Sequence, residues 1–181
     1  MNKQGKAVLT AVIAAVCLIN ILCSGKKSLE PGHYYSTEKK FSIIFPEGWE
    51  IKVEGSIDAP FVEAVSPWED DEDPFSEYIG IDIDQLPGEI TLSELFDSML
   101  EEQAKEFEYF SEVERGDIKL GGEDARYLIF DIGMEEGRNR VISYTLINRE
   151  KSILISCVAE DIKFEDYRGR FEESAGTFRF E

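Results

Sequence analysis

Apolar residues recur at helical spacing between positions 91 and 107, and mostly charged residues fill the positions between them. The recurring positions are Leu92, Leu95, Phe96, Met99, Leu100, Gln103, Ala104 and Phe107. Thr91 followed by Glu94 forms a capping-box pattern, in which each side chain satisfies a backbone donor of the first turn. The sequence therefore predicts an amphipathic helix here, and its apolar stripe needs a matching surface.

Most of the remaining chain alternates apolar and polar residues, which is typical of half-buried strands. The predicted strands cover 41–45, 49–53, 61–65, 78–85, 112–120, 125–132, 138–148, 152–159 and 177–180. Gly121-Gly122 and 149–151 are predicted to be hairpin turns, and 163–175 a second helix that stops at Gly176. This order of strands, helix, strands and helix predicts an α+β fold, with helices covering the faces of an antiparallel sheet.

Positions 1–23 resemble an export signal or membrane anchor, because Lys3 and Lys6 precede an apolar run. Three fates stay open: cleavage with release, lipidation of Cys23 as in a lipoprotein, or retention as an uncleaved anchor. Residues 24–36 are polar and are interpreted as a linker containing His33, followed by the folded domain at 37–181. We expect an extracytoplasmic domain tethered to the cell membrane.

The chain carries 38 acidic against 19 basic residues, a formal net charge of −19. This charge repels phosphate backbones and makes nucleic acid an unsuitable partner. Cys157 is the one cysteine of the predicted domain, so no disulfide is expected within that domain. It lies in an alternating apolar run and is interpreted as a small core residue.

Four segments, in the same order and spacing, resemble the PsbP-like family. They are FSIIFPEGWEI (41–51), AVSPWEDDEDPFSEYIGIDIDQLP (64–87), TLSEL (91–95) and FEDYRGRFEESAGTFRFE (164–181). The resemblance covers about 34–181 and implies an α-β-α sandwich with a central antiparallel β-sheet flanked by helices, as in the Ran-binding nuclear import factor. It implies binding or accessory work without known catalysis. Asp70 and Glu77-Tyr78 depart from the family pattern, and a signal with a linker replaces the N-terminal segment of the photosynthetic members.

One acidic run is the main candidate for ligand chemistry. Its residues are Glu69, Asp70, Asp71, Glu72 and Asp73. Carboxylate oxygens suit a hard divalent cation such as Ca²⁺, but the run lacks the spacing and the central glycine of an EF-hand loop and is also consistent with a surface turn. Trp68 and Phe75 stand on either side of it and are candidate partner-binding aromatics.

Two further motifs favour structural interpretations. Asp82 and Asp84 share one side of a predicted strand whose buried side is defined by isoleucines, so they are expected on a solvated outer face. The GGED run at 121–124 is similar to the turn signature of diguanylate cyclases but is interpreted as a hairpin turn. The composition supplies no Ser-His-Asp set, cysteine–histidine pair, zinc-ligand cluster or phosphate-binding glycine loop.

The sequence therefore favours a membrane-tethered, extracytoplasmic binding or accessory module that has no cofactor and docks a protein partner. The alternative is a divalent-cation-binding protein that uses residues 69–73. A third hypothesis, a hydrolase with paired carboxylates, requires two carboxylates that converge in a deep cleft.

Overall fold

The structure, a computed structural model, describes residues 31–56, 59–68, 75–86, 88–134 and 137–181. Two of the predicted sites lie outside these ranges. Cys23 belongs to the N-terminal segment before residue 31, and the acidic run from Glu69 to Asp73 falls between residues 68 and 75. The lipidation and cation-site predictions therefore stay predictions.

Ten strands and two helices follow one another along the described chain. They are β1 His33–Ser36, β2 Phe41–Ile44, β3 Glu50–Ser56, β4 Ala59–Val65, β5 Tyr78–Gln85, α1 Leu92–Glu106, β6 Phe110–Leu120, β7 Glu123–Met134, β8 Gly137–Asn148, β9 Lys151–Glu160, α2 Phe164–Gly176 and β10 Arg179–Phe180. The predicted elements are confirmed, with boundaries that differ by a few residues.

The strands form two antiparallel sheets. The large sheet has seven strands in the order β3-β4-β5-β9-β8-β7-β6, and the small sheet has the order β1-β2-β10. In the large sheet Tyr78 of β5 is paired with Val65 of β4 on one side and with Val158 of β9 on the other. The chain is thus α+β, as its patterning predicted.

The two helices cover opposite faces of the large sheet. Phe96 of α1 packs with Leu128 and Phe130 of β7 in one buried cluster. Phe164 and Phe171 of α2 belong to a larger cluster, which also contains the inward side chains of the small sheet. The expected α-β-α sandwich is therefore confirmed, and the small sheet extends the layer that α2 forms.

The domain begins earlier than the sequence interpretation placed it. His33–Ser36, which were assigned to the linker, form β1 and pair with β2, where His33 lies opposite Ile44. Gly32 leads into this strand with φ near +80°, and a Cβ there would lie 2.3 Å from the carbonyl oxygen of Phe45. The last residues of the predicted linker are thus part of the sheet, and His33 is half-buried instead of solvated.

The capping box of α1 is present as predicted. The Glu94 backbone N–H donates to Thr91 Oγ1 over 3.2 Å, and the Thr91 N–H donates to Glu94 Oε2 over 2.9 Å. Hydrogen bonds from the Thr91 side chain and then its backbone lower the pKa of the Glu94 carboxyl. Among the described residues, no helix is long and apolar enough to cross a membrane.

Replacing Thr91 by alanine should lower the free energy of unfolding by about 1 kcal/mol, because an orphan N–H of the first turn loses its acceptor. Urea unfolding of the wild type and of Thr91→Ala measures the difference. Thr91→Ser keeps a hydroxyl in the same place and is the matched control. Equal losses in both variants would contradict a role for the capping hydroxyl.

Candidate functional site

One end of the large sheet gathers the residues that the sequence marked as partner-binding. β4 and β9 both end there, on either side of the start of β5, because Val65, Tyr78 and Val158 form one row across the three strands. Residues 66–77 connect β4 to β5, and a short turn connects β9 to α2. We call this end of the large sheet the loop end.

The two arms of the 66–77 connection are joined by a set of hydrogen bonds that we call the loop clasp. The Ser66 N–H donates to the Glu77 carbonyl oxygen over 2.8 Å, and the Glu77 N–H donates to Ser66 Oγ over 2.9 Å. The Ser66 hydroxyl also donates to Glu77 Oε2 over 2.9 Å. Both residues are buried, and Glu77 is fully so. The clasp thus fixes where the connection leaves and re-enters the sheet.

Glu77 was not identified as a site residue from the sequence. Its Oε1 is buried and has no hydrogen-bond partner among the described residues. A buried oxygen without a donor is costly, which makes this carboxyl the least satisfied polar group of the loop end. Its position just before a predicted strand was the only available sequence signal.

Trp68 and Phe75 have different environments. The Trp68 side chain is 69% exposed. Phe75 is half-buried, with its ring centroid 6.4 Å from that of Tyr78, and it packs on the buried cluster beneath α1. Trp68 is therefore accessible to a partner. Phe75 instead packs the end of the connection that leads into β5 against the sheet.

Ile162 is an exposed apolar residue that the sequence analysis did not select. It is 82% exposed in the turn between β9 and α2. The turn is fixed by hydrogen bonds from the Asp161 N–H to the Arg138 carbonyl and from the Lys163 N–H to the Glu160 carbonyl, each 3.0 Å long. An isoleucine between charged residues just after a strand is a weak signal, since single exposed apolar residues are common.

Asp82 does not lie on a fully solvated face, so that expectation was wrong. It is opposite Leu154 on β9, and it is partly buried. Burial, reinforced by the neighbouring Asp84 carboxylate, raises the pKa of Asp82 to about 6. Burial first, and then the nearby carboxylates of Glu63 and Asp82, raises the pKa of the Tyr78 hydroxyl. The face of β5 turned away from the isoleucines is thus poorly hydrated and acidic.

Cys157 is a core residue, as predicted. It is fully buried between the isoleucines of the larger cluster, and burial raises the pKa of its thiol. Because the thiolate is the reactive form of cysteine, this environment disfavours nucleophilic chemistry.

An open depression lies at the opposite end of the sheet, between the β5–α1 connection and the β8–β9 turn. It has a volume of about 700 Å³, and its lining includes Ile90, Glu94 and Arg149 but neither Asp82 nor Asp84. Across the described ranges, no three His, Cys, Asp or Glu residues are grouped so that they could hold a metal ion. The carboxylates of Glu89, Glu94 and Glu150 line this depression, but it is open to solvent and is not the deep cleft that the hydrolase hypothesis requires.

No protein-family model and no curated protein matches the sequence. Solved structures do match. Cyanobacterial PsbP (CyanoP) from Synechocystis sp. PCC 6803 is 16% identical, with 88% of this chain and 99% of that chain covered and a TM-score of 0.63.

Two further solved structures have the same architecture. LpqN, involved in cell envelope biogenesis of Mycobacterium tuberculosis, is 14% identical, covers 81% of this chain and 88% of its own, and has a TM-score of 0.64. The Ran-binding protein Mog1p of Saccharomyces cerevisiae is 10% identical, covers 84% and 96%, and has a TM-score of 0.58. At these identities the likeness concerns the fold, and the chain has the PsbP-like fold.

The buried Asp82 should make stability depend on pH in a defined direction. Its folded-state pKa of about 6 lies above the usual 3.8, so the folded chain holds the proton more tightly. Its stabilising contribution is full below about pH 4 and is lost as the pH rises through 6. Relative to Asp82→Asn, the wild type should lose about 1–3 kcal/mol of unfolding free energy between pH 4 and pH 7.

Urea unfolding of both chains across this range measures the difference and cancels the effect of the overall charge. Asp84→Asn should keep most of the dependence, because burial is the main cause of the raised Asp82 pKa and Asp84 the secondary one. If the unfolding free energies of the wild type and of Asp82→Asn change with pH in the same way, the fold does not favour the protonated form of the Asp82 carboxyl.

Proposed function

We propose that this chain is a non-catalytic binding or accessory module that docks a protein partner at the loop end, with Trp68 as the main contact. The observation that carries the proposal is the exposure of Trp68, 69%, two residues from the buried loop clasp. Tryptophan is among the residues that most often dominate the energy of protein interfaces.

The loop clasp supports this proposal through its effect on the cost of binding. Ordering a flexible segment on association costs free energy that is subtracted from the affinity. Ser66 and Glu77 hold both arms of the connection in the free chain, and the Phe75–Tyr78 contact holds the returning arm a second time. The backbone near Trp68 is thus held in place before a partner binds.

The structural neighbours give independent support for a binding role. Mog1p is a Ran-binding protein, and LpqN is involved in cell envelope biogenesis. The first is consistent with a protein partner, and the second with a site of action outside the cytoplasm. We extend both features to this chain as part of the proposal.

Membrane tethering through residues 1–23 completes the proposed function. The apolar run and the basic residues before it support export, and a polar stretch then leads to β1. Metabolic labelling with a fatty acid tests lipidation at Cys23, and membrane fractionation tests the tether itself. Recovery of the full chain in the soluble cytoplasmic fraction would refute the tether.

Replacing Trp68 by serine should abolish capture of the partner in native membranes. The full chain carries a photo-crosslinking residue at Ser76, and cross-linked products are compared between the wild type and Trp68→Ser. We expect a discrete product that is lost in the variant, because the exposed indole supplies the central contact. Ile118→Ser is the matched control, since Ile118 is 41% exposed on the distant edge strand β6. A product of equal yield in all three chains would place docking elsewhere.

The second candidate function is divalent-cation binding by the acidic run, Glu69 to Asp73. One observation favours it, the buried Oε1 of Glu77, which has no hydrogen-bond partner among the described residues at the base of the same connection. Carboxylate oxygens are the ligands that hard cations prefer.

If the acidic run binds a cation, calorimetry with Ca²⁺, Mn²⁺ or Zn²⁺ should show saturable heat. Conversion of the five carboxylates to amides should remove it, while Glu165→Gln, which neutralises one exposed carboxylate on α2, should leave it unchanged. Absence of heat at millimolar metal would eliminate this candidate.

A further inference from the structure

The two most exposed large apolar side chains among the described residues both lie at the loop end. They are Ile162, at 82%, and Trp68, at 69%. Trp68 follows the end of β4 and Ile162 follows the end of β9, and these strands flank β5. Neighbouring strands are about 4.8 Å apart, so the two strand ends are separated by roughly 10 Å. A short extended segment is long enough to bridge these two strand ends.

Each of these side chains is displayed from an ordered base. Trp68 lies next to the loop clasp, and Ile162 lies in a turn closed by two backbone hydrogen bonds. The next residue after that turn begins α2, whose Phe164 is fully buried. The backbone beside each anchor is therefore already ordered before a partner binds, which lowers the cost of association.

The charged groups around these anchors are mainly acidic. Glu50 begins β3 opposite Val65, Asp161 precedes Ile162, and Glu165 and Asp166 occupy the first turn of α2. Glu50, Glu165 and Asp166 are exposed, and Glu50 Oε2 lies 4.0 Å from Lys52 Nζ, so the carboxylates of Glu165 and Asp166 are the main exposed negative charges near Ile162. An apolar pair surrounded by exposed carboxylates attracts cationic groups.

The neighbouring basic side chains are already engaged. Lys163 Nζ lies 3.4 Å from Glu160 Oε2, and Arg140 Nε lies 2.6 Å from Asp131 Oδ1. The Arg138 guanidinium stacks over the Tyr109 ring at 4.5 Å. These cations are neutralised or held in place, so they do not offset the exposed carboxylates near Ile162.

We infer that the partner contributes a basic segment with at least one large apolar side chain, which packs against Trp68 and Ile162 while its cations face the surrounding carboxylates. This inference rests on the proposed docking function and names the chemistry of the partner. A second copy of this chain is a poor occupant, because each copy carries a net charge of −19. An anionic lipid surface is repelled for the same reason.

Fluorescence anisotropy with labelled synthetic peptides tests the inference on the full chain held in neutral phosphatidylcholine nanodiscs. A peptide of alternating Lys and Leu should bind, whereas a Lys/Ser peptide and a Glu/Leu peptide should bind at least about tenfold more weakly. Trp68→Ser and Ile162→Ser should each weaken Lys/Leu binding about tenfold. Binding should also fall as salt is raised, since exposed charges are screened.

Two matched variants separate this site from general attraction to an acidic protein. Ile118→Ser removes an equally apolar exposed side chain at the far edge and should leave Lys/Leu affinity unchanged. Glu165→Gln combined with Asp166→Asn should weaken binding and reduce its salt dependence. The inference is overturned if the Glu/Leu peptide binds as tightly as Lys/Leu, or if Trp68→Ser and Ile162→Ser bind like the wild type.

The test also distinguishes this inference from the function on which it rests. If the cross-linked partner depends on Trp68 but is not displaced by the Lys/Leu peptide, the basic segment is wrong and the docking function stands. If no cross-linked partner depends on Trp68, both are wrong.

Discussion

The fold depends on covering β9, the middle strand of the large sheet, on both of its faces. Seven consecutive residues of β9, from Ile153 to Ala159, are buried. Since side chains of a strand alternate between its faces, a strand buried throughout needs a packing layer on each side. α2 supplies one layer together with the small sheet, and α1 contributes to the other. The sandwich is therefore a consequence of this strand.

The two helices that cover the sheet bury different numbers of side chains. The apolar stripe of α1 is regular, yet Phe96 is its only fully buried residue. α2 has the less regular sequence but buries Phe164, Tyr167 and Phe171, and Trp49 packs edge-on against the last of these at 6.3 Å between ring centroids. Burial depends on where a helix lies relative to the rest of the chain, so regularity along one helix did not identify the centre of the core.

The same arrangement explains why the candidate site lies at one end of the sheet. The loops that connect the antiparallel strands lie at the two ends of the sheet. Backbone N–H and C=O groups there need hydrogen-bond partners outside the strand pairing. At the loop end these partners are Ser66 and Glu77 on one connection and the Arg138 and Glu160 carbonyls on the other. Both connections are thereby attached to the sheet, and Trp68 on the first and Ile162 on the second are exposed to solvent.

The amino-acid sequence was sufficient to predict the elements whose causes are local. The capping box, the alternation of β5 and the two glycines at 121–122, both with positive φ, depend on residues within a few positions of one another. It also indicated the fold, because the order of elements restricts how their apolar faces can be covered. Trp68 was selected as a candidate from its place beside the acidic run.

The features that join distant parts of the chain became visible in the three-dimensional structure. In the small sheet, β2 pairs with β1 on one side and with β10 on the other. Ser174 Oγ donates a hydrogen bond of 2.7 Å to the carbonyl oxygen of Ile44, which is 130 residues away in the sequence. The partial burial of Asp82 and the placement of Trp68 and Ile162 at the same end of the sheet likewise depend on strand order. A side chain's solvation and neighbours are set by which segments pack against it, and a local pattern contains no information about that choice.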